Sequence, residues 1–306
     1  MPAGIAKLKS LRTLCFEHMD EWQDWIPCRV ECEEFPCLRE LSISNCPKLE
    51  GKFPHHLPSL EKLSIHACEQ LVVLIPSHSV IQVLEIVECK EVVHGSVKVE
   101  KLLIEDCKEL TSLCEDGLMS FVTLEIEITS CQSLVNIKLK STLRTLTIED
   151  CNALESLQFV MDECEEFPCL RELSIPKCPK LEGKFPHHLL SLEKLSIYAC
   201  KQLVVSIPSH SMLQVLKIVG CKEVLHGSVK VEKLIIKNCE KLTSLCEDEL
   251  MSFVTLEIEI KSCQSLVNIK LKSTLRTLTI EDCNALESLQ FVMDECEAFP
   301  SSFIDE

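Results

Sequence analysis

Cys28, Cys32 and Cys37 fall close together in the chain, as do Cys164 and Cys169, and such clusters raise the question of metal ligation by thiolates. A structural zinc site draws four ligands, usually from two short pairs, and the three-cysteine group is not completed where the sequence later repeats itself. His55-His56 and His187-His188 could offer ring nitrogens, but each pair follows Phe-Pro in a segment that reads as a solvated loop. Nucleophilic catalysis needs a Cys or Ser beside a positioned base, and no nucleophile signature stands out among the 21 cysteines and 10 histidines. The adjacent acids Glu149-Asp150 and Glu281-Asp282 each close a short apolar alternation, where a solvated charge is the ordinary outcome. No G-x-x-x-x-G-K-[ST] loop is present to cradle phosphates. These residues point to a non-enzymatic protein, with no catalytic residue, cofactor-binding residue or metal ligand expected.

Most of the cysteines have a positional explanation instead. The segment 31–162 recurs without a gap as 163–294, differing at about 18 of 132 positions, and a third copy starts at Glu295 as ECEAFP. Inside each copy runs a shorter period, clearest in Leu38-x-x-Leu41-x-Ile43-x-x-Cys46-x-x-Leu49 and again in Leu60, Leu63, Ile65, Cys68 and Leu71. Later turns read Ile81/Leu84/Ile86/Cys89, Val99/Leu102/Ile104/Cys107, a looser Ile126/Ile128/Cys131, and Leu143/Leu146/Ile148/Cys151. The second copy repeats all six with Cys178, Cys200, Cys221, Cys239, Cys263 and Cys283. Leu-x-Ile alternates at period two, so both side chains point to one face of a short strand. A single coil cannot bury that face, whereas stacked parallel coils can. The cysteine three residues after the last strand apolar takes a spot where a small buried side chain turns the chain inward. Those twelve cysteines are expected to form a structural ladder.

Coils averaging about 22 residues fall inside the leucine-rich-repeat range of roughly 20 to 29. With a partial coil at Leu11-x-x-Leu14-x-Phe16, the chain is expected to make about 13 coils. The fold expected is an α/β-type repeat solenoid, a leucine-rich-repeat horseshoe with a parallel concave sheet and short irregular or 3₁₀ convex segments. Its divisions are 1–30, a partial coil and Trp-containing linker (Trp22, Trp25); 31–162, six coils; 163–294, six coils in tandem duplicate; and 295–306, a truncated third copy. The ends carry no convincing caps.

Composition narrows the function. A formal charge of −17 argues against binding nucleic acid or anionic lipid, and no apolar run approaches the length of a bilayer span. The start, MPAGIAKLKSLRTL, does not read as a secretory leader, and no Asn occupies an N-x-Ser/Thr sequon. A cytoplasmic protein with reduced thiols is expected.

The run FPCLRELSISNCPKLEGKFPHHLPSLEKLSIHACEQLVV, preceded by MDEWQDW, resembles the C-terminal leucine-rich-repeat region of plant coiled-coil nucleotide-binding leucine-rich-repeat disease-resistance proteins. The resemblance covers nearly the whole chain and includes the phrases CPKLEGKFP and EW-x-x-W. It implies an intracellular protein-interaction module that recognises a pathogen effector or a guarded host protein, with a nucleotide-binding domain as a further partner covering the N-terminal end. Neither the nucleotide switch nor the signalling domain of that family is present in the sequence, so no nucleotide cofactor is carried over. The alternatives are a truncated, non-signalling relic or decoy, and the substrate receptor of a ubiquitin ligase, which would be expected to place an F-box-like segment ahead of its repeats.

Comparing the two copies locates a candidate surface. Residues between and just after the strand apolars, such as Arg39, Glu40, Ser42, Ser44 and Asn45, would line the concave sheet, and about nine of the 18 differences fall on 30 such positions. Asn45 becomes Lys177, Glu85 becomes Lys217, Glu105 becomes Lys237, Thr129 becomes Lys261, Glu88 becomes Gly220, Asp106 becomes Asn238 and His66 becomes Tyr198. The formal charge of this surface moves from about −7 to about +1. Partner-binding candidates are therefore Glu85, Glu88, Glu105, Asp106, Lys177, Tyr198, Lys217, Lys237 and Lys261. The competing reading is that exposed strand residues, carrying no packing load, drift freely.

Overall fold

In the computed structural model the described residues are 9–24, 35–50, 57–74, 80–93, 98–113, 124–140, 142–160, 169–183, 189, 191–206, 213–221, 223–225, 231–245, 257–272 and 275–292. They build one 13-stranded sheet whose strands are added in chain order and pair in parallel throughout. The strands begin at Thr13, Glu40, Lys62, Val80, Lys98, Glu125, Thr145, Glu172, Lys194, Val215, Lys233, Glu257 and Thr277. One strand per coil is what the Leu-x-Ile alternation requires, and the register keeps equivalent residues side by side: Leu41 faces Leu63 and Ile43 faces Ile65. The sheet continues from the strand Thr145–Glu149 to Glu172–Pro176, so the two long copies share one array. Pairing there is shortened to three residue pairs, stopping before Pro176, which has no N–H to donate.

Behind the sheet lies a continuous apolar core. Leu195, Ile197, Leu216 and Ile218 point inward from the strands and are at most 1% exposed. The ladder cysteines complete this layer: all twelve hold the same place in their coils, and all but Cys283 are fully buried. Cys200 Sγ donates to Ile175 O of the preceding coil at 3.2 Å and to Tyr198 O at 3.5 Å, so the thiol bridges coils as well as filling space. Near the N-terminal end, Phe16 and Trp22 pack with ring centroids 4.8 Å apart.

Just before each ladder position the chain reverses through a left-handed residue. Asn45, Ala67, Glu88, Asp106, Ser130 and Asp150 in the first copy, and Lys177, Ala199, Gly220, Asn238, Ser262 and Asp282 in the second, all have positive φ. Stacking uses this geometry, since in every coil but the last described one the N–H of this residue donates to the last strand residue of the next coil: Asn45 to His66 O, Lys177 to Tyr198 O, Gly220 to Lys237 O. That repeated bond offsets the cost of the left-handed conformation for residues other than glycine.

The far side of the coils is more regular than the expected irregular or 3₁₀ segments. Short parallel strands form there, Val72–Leu74 with Glu91–Val93, and Ser112–Leu113 with Asn136–Lys140 and Ser156–Val160. The second copy repeats both groups. The cause is a second alternation after the cysteine: Ile137 and Leu139 face the core while Lys138 faces solvent. Trp25, Cys28, Cys32, Cys164, both His-His pairs and the residues 295–306 lie outside the described residues.

Candidate protein-binding face

The solvent face of the main sheet carries three rows of side chains, one from each outward strand position, and the left-handed turns add a fourth row along one edge. The row at the strand starts, with the residues just before it, is engaged in ion pairs between neighbouring coils. Arg39 meets Glu61 at 3.5 Å, Arg171 meets Glu193 at 3.5 Å, Lys194 meets Glu172 at 2.7 Å and Lys233 meets Glu257 at 2.9 Å. These positions are identical in the two copies. All nine differences on the sheet face fall on the middle row, the last row or the turn row, so the surface that changed is the half toward the strand ends.

The first-copy candidates lie on two neighbouring strands. Glu85 is half-buried, accepts a hydrogen bond from Ser64 Oγ at 3.2 Å, and lies 3.5 Å from His66 Nε2. Glu105 ends the next strand, exposed, and Glu88 and Asp106 occupy left-handed turns. In the second copy the His66 and Glu85 positions become Tyr198 and Lys217, so both members of one contact changed together. Tyr198 is 43% exposed at the end of its strand. Lys217, two residues short of its own strand end, lies in register between Ser196 and Ile235, its ammonium without an ion-pair or hydrogen-bond partner among the described residues.

Lys237 and Lys261 are placed differently. Both reach Glu259 Oε1, at 2.9 and 3.0 Å, and Lys261 also reaches Glu281 Oε2 at 3.0 Å. The paired cations hold the Glu259 carboxyl below the usual carboxylate range, and Glu281 followed by Glu259 raises Lys261. In the first copy these lysine positions are Glu105 and Thr129, and the carboxylates of Glu105, Glu127 and Glu149 are grouped around Thr129. Two of the expected partner contacts thus also relieve charge crowding within the sheet. Lys177 sits on a left-handed turn with Nζ 3.3 Å from Glu149 Oε1. Glu259 was not singled out from sequence. Its role follows once coil register sets Lys237 beside Lys261, with Glu259 two residues earlier on the strand that carries Lys261.

Several of the ladder thiols are not poised for chemistry. Burial pushes Cys68, Cys151 and Cys200 up to about 11 and Cys221 to about 12, which keeps them protonated and unreactive. Cys37 and Cys169 are exposed at equivalent points just before the buried Leu38 and Leu170.

Comparison with known proteins adds lineage to this geometry. Disease resistance RPP13-like protein 1 of Arabidopsis thaliana is 32% identical over 57% of this chain, and disease resistance protein At3g14460 of the same plant is 26% identical over 92% of it. Both of these relatives carry disease-resistance names. The leucine-rich-repeat chain spans 13% and 22% of the lengths of these two relatives. No family model matches the chain, and no solved structure gives a significant match. Among the described residues no helix is long and apolar enough to cross a membrane.

Proposed function

We propose that this chain is a protein-recognition module of plant defence, which binds a pathogen effector or a guarded host protein through the strand-end half of its main sheet. The observation that carries the reading is the confinement of change. Between two copies that keep every ladder cysteine, the ion-paired strand-start rows are fixed while the strand-end rows exchange carboxylates for lysines. Free drift would touch both kinds of exposed position alike. The disease-resistance names of the relatives support a defence role, and a repeat solenoid supports binding over catalysis. A cytoplasmic site of action, and a nucleotide-binding domain as a second partner against the N-terminal coil, belong to the same proposal.

The test is a charge-reversal scan on the partner recovered from challenged leaf tissue. Lys217→Glu, Lys237→Glu and Lys261→Glu together are expected to weaken binding at least tenfold, whereas Lys138→Glu on the opposite side leaves it unchanged. Equal affinity for both variants would remove the proposal.

A further inference from the structure

Beyond the strand ends of the second copy lies a depression of about 430 Å³, bounded by three successive coils. Nine residues line it, and six differ from their first-copy equivalents. Tyr198 replaces His66, Lys201 replaces Glu69, Gly220 replaces Glu88, Asn238 replaces Asp106, Glu240 replaces Lys108 and Lys241 replaces Glu109. One third of the 18 differences between the copies is therefore concentrated on nine residues. Of the three unchanged positions, Val219 and Cys221 are buried, and Ala199 is a left-handed turn residue.

The exchanges share a chemical direction. The first-copy residues bring four carboxylates, from Glu69, Glu88, Asp106 and Glu109, against Lys108 and His66. Their second-copy equivalents bring one carboxylate, from Glu240, against Lys201 and Lys241, with the Asn238 amide and the Tyr198 hydroxyl as neutral hydrogen-bonding groups. Gly220 also removes a side chain from the middle coil, where a Cβ would stand 3.7 Å from Ala199 Cα. The result is a locally cationic recess with an exposed aromatic wall, on a chain whose net charge of −17 repels acidic partners elsewhere.

We infer that this recess receives an acidic side chain, Asp or Glu, of the partner protein, with Lys201 and Lys241 pairing the carboxylate and Tyr198 packing against its stem. The inference rests on the reading of this chain as a protein-recognition module and names the chemistry of one contact. It also makes the second copy the specific half of the array, since the first-copy equivalent of the recess is carboxylate-rich.

The chain contains a single tyrosine, so 3-fluorotyrosine gives one ¹⁹F resonance that reports on Tyr198 alone. An N-acetylated, C-amidated Gly-Glu-Asp-Gly peptide is expected to shift that resonance saturably, with an affinity at least tenfold above that of the neutral isostere Gly-Gln-Asn-Gly and falling as salt is added. A variant carrying Lys201→Glu, Gly220→Glu, Asn238→Asp, Glu240→Lys and Lys241→Glu keeps the probe and restores first-copy residues that already occupy folded coils. It should lose the response while keeping the parent circular dichroism. An absent saturable shift, an equal response to the neutral peptide, or a response that survives in the variant would overturn the inference. A partner whose binding is lost on Lys217→Glu but unaffected by the five substitutions would refute the recess and leave the wider reading standing.

Discussion

Lys177 Nζ lies 3.3 Å from Glu149 Oε1, so a residue of the second long copy closes an ion pair with a residue of the first. The same lysine occupies a left-handed turn at φ 57°, where its counterpart Asn45 sits more comfortably. Two small effects of opposite sign meet at one position. Exposed pairs contribute about 0.2–1 kcal/mol and are screened by salt, whereas a backbone preference is not. Lys177→Asn should therefore gain stability relative to the parent as sodium chloride rises, read from urea midpoints. A difference independent of salt would show that the pair contributes nothing.

Core positions should respond on a larger scale. Leu195 is 1% exposed between neighbouring coils, so Leu195→Ala is expected to cost about 2–5 kcal/mol, whereas Ser196→Ala on the solvent face should stay within about 0.5 kcal/mol. Denaturation followed by far-ultraviolet circular dichroism checks both. Comparable costs would contradict the assignment of the two faces.

Gly220 has φ 64° and room for an added methyl group, with Ala199 Cα at ordinary contact distance. Any penalty for Gly220→Ala is thus conformational, about 1 kcal/mol, and Glu88→Gly at the equivalent turn should stabilise by a similar amount. Thermal midpoints moving in opposite directions for the two variants would bear this out, and a stabilising Gly220→Ala would contradict it.

Alkaline pH should weaken the fold through the ladder. Cys68, Cys151 and Cys200 titrate near 11 when folded, above their ordinary 9.0, so the unfolded chain releases these protons first. Stability is then insensitive to them below pH 9 and falls between about 9 and 11. Lys194, Lys233 and Lys261, raised by their glutamate partners, add a loss in the same direction above 10.5. At pH 8, iodoacetamide should label Cys37 and Cys169 well before Cys68 and Cys200, measured by peptide mass spectrometry. Simultaneous labelling would mean that the ladder is open to solvent.

Much of this architecture was legible from one alternation and one cysteine. Leu41, Ile43 and Cys46 recur at fixed spacing, and the strands and buried thiols fall where that spacing places them. The left-handed turns were not legible, because Asn45, Ala67, Glu88 and Lys177 share no side-chain signature and the conformation accompanies inter-coil N–H bonds. The shortest far-side strands carry no sequence signal of their own, since Ser112–Leu113 is two residues long and draws its pairing from Asn136 and Ile137 in the next coil. At the candidate face, the direction of the lysine substitutions was plain in the sequence. Their division into Lys217, its ammonium without a partner among the described residues, and Lys261 paired on both sides needed the register of three adjacent coils.

Site-specific photocrosslinking tests the central claim most directly. A benzoylphenylalanine at position 217 in the purified chain, mixed with extract of challenged leaf tissue and irradiated, should form a covalent adduct with one protein. The same group at position 138, on the opposite side of the coils, should form none with that protein. Equal adducts at both positions, or none at position 217 while the protein still co-purifies with the chain, would contradict recognition through the strand-end face.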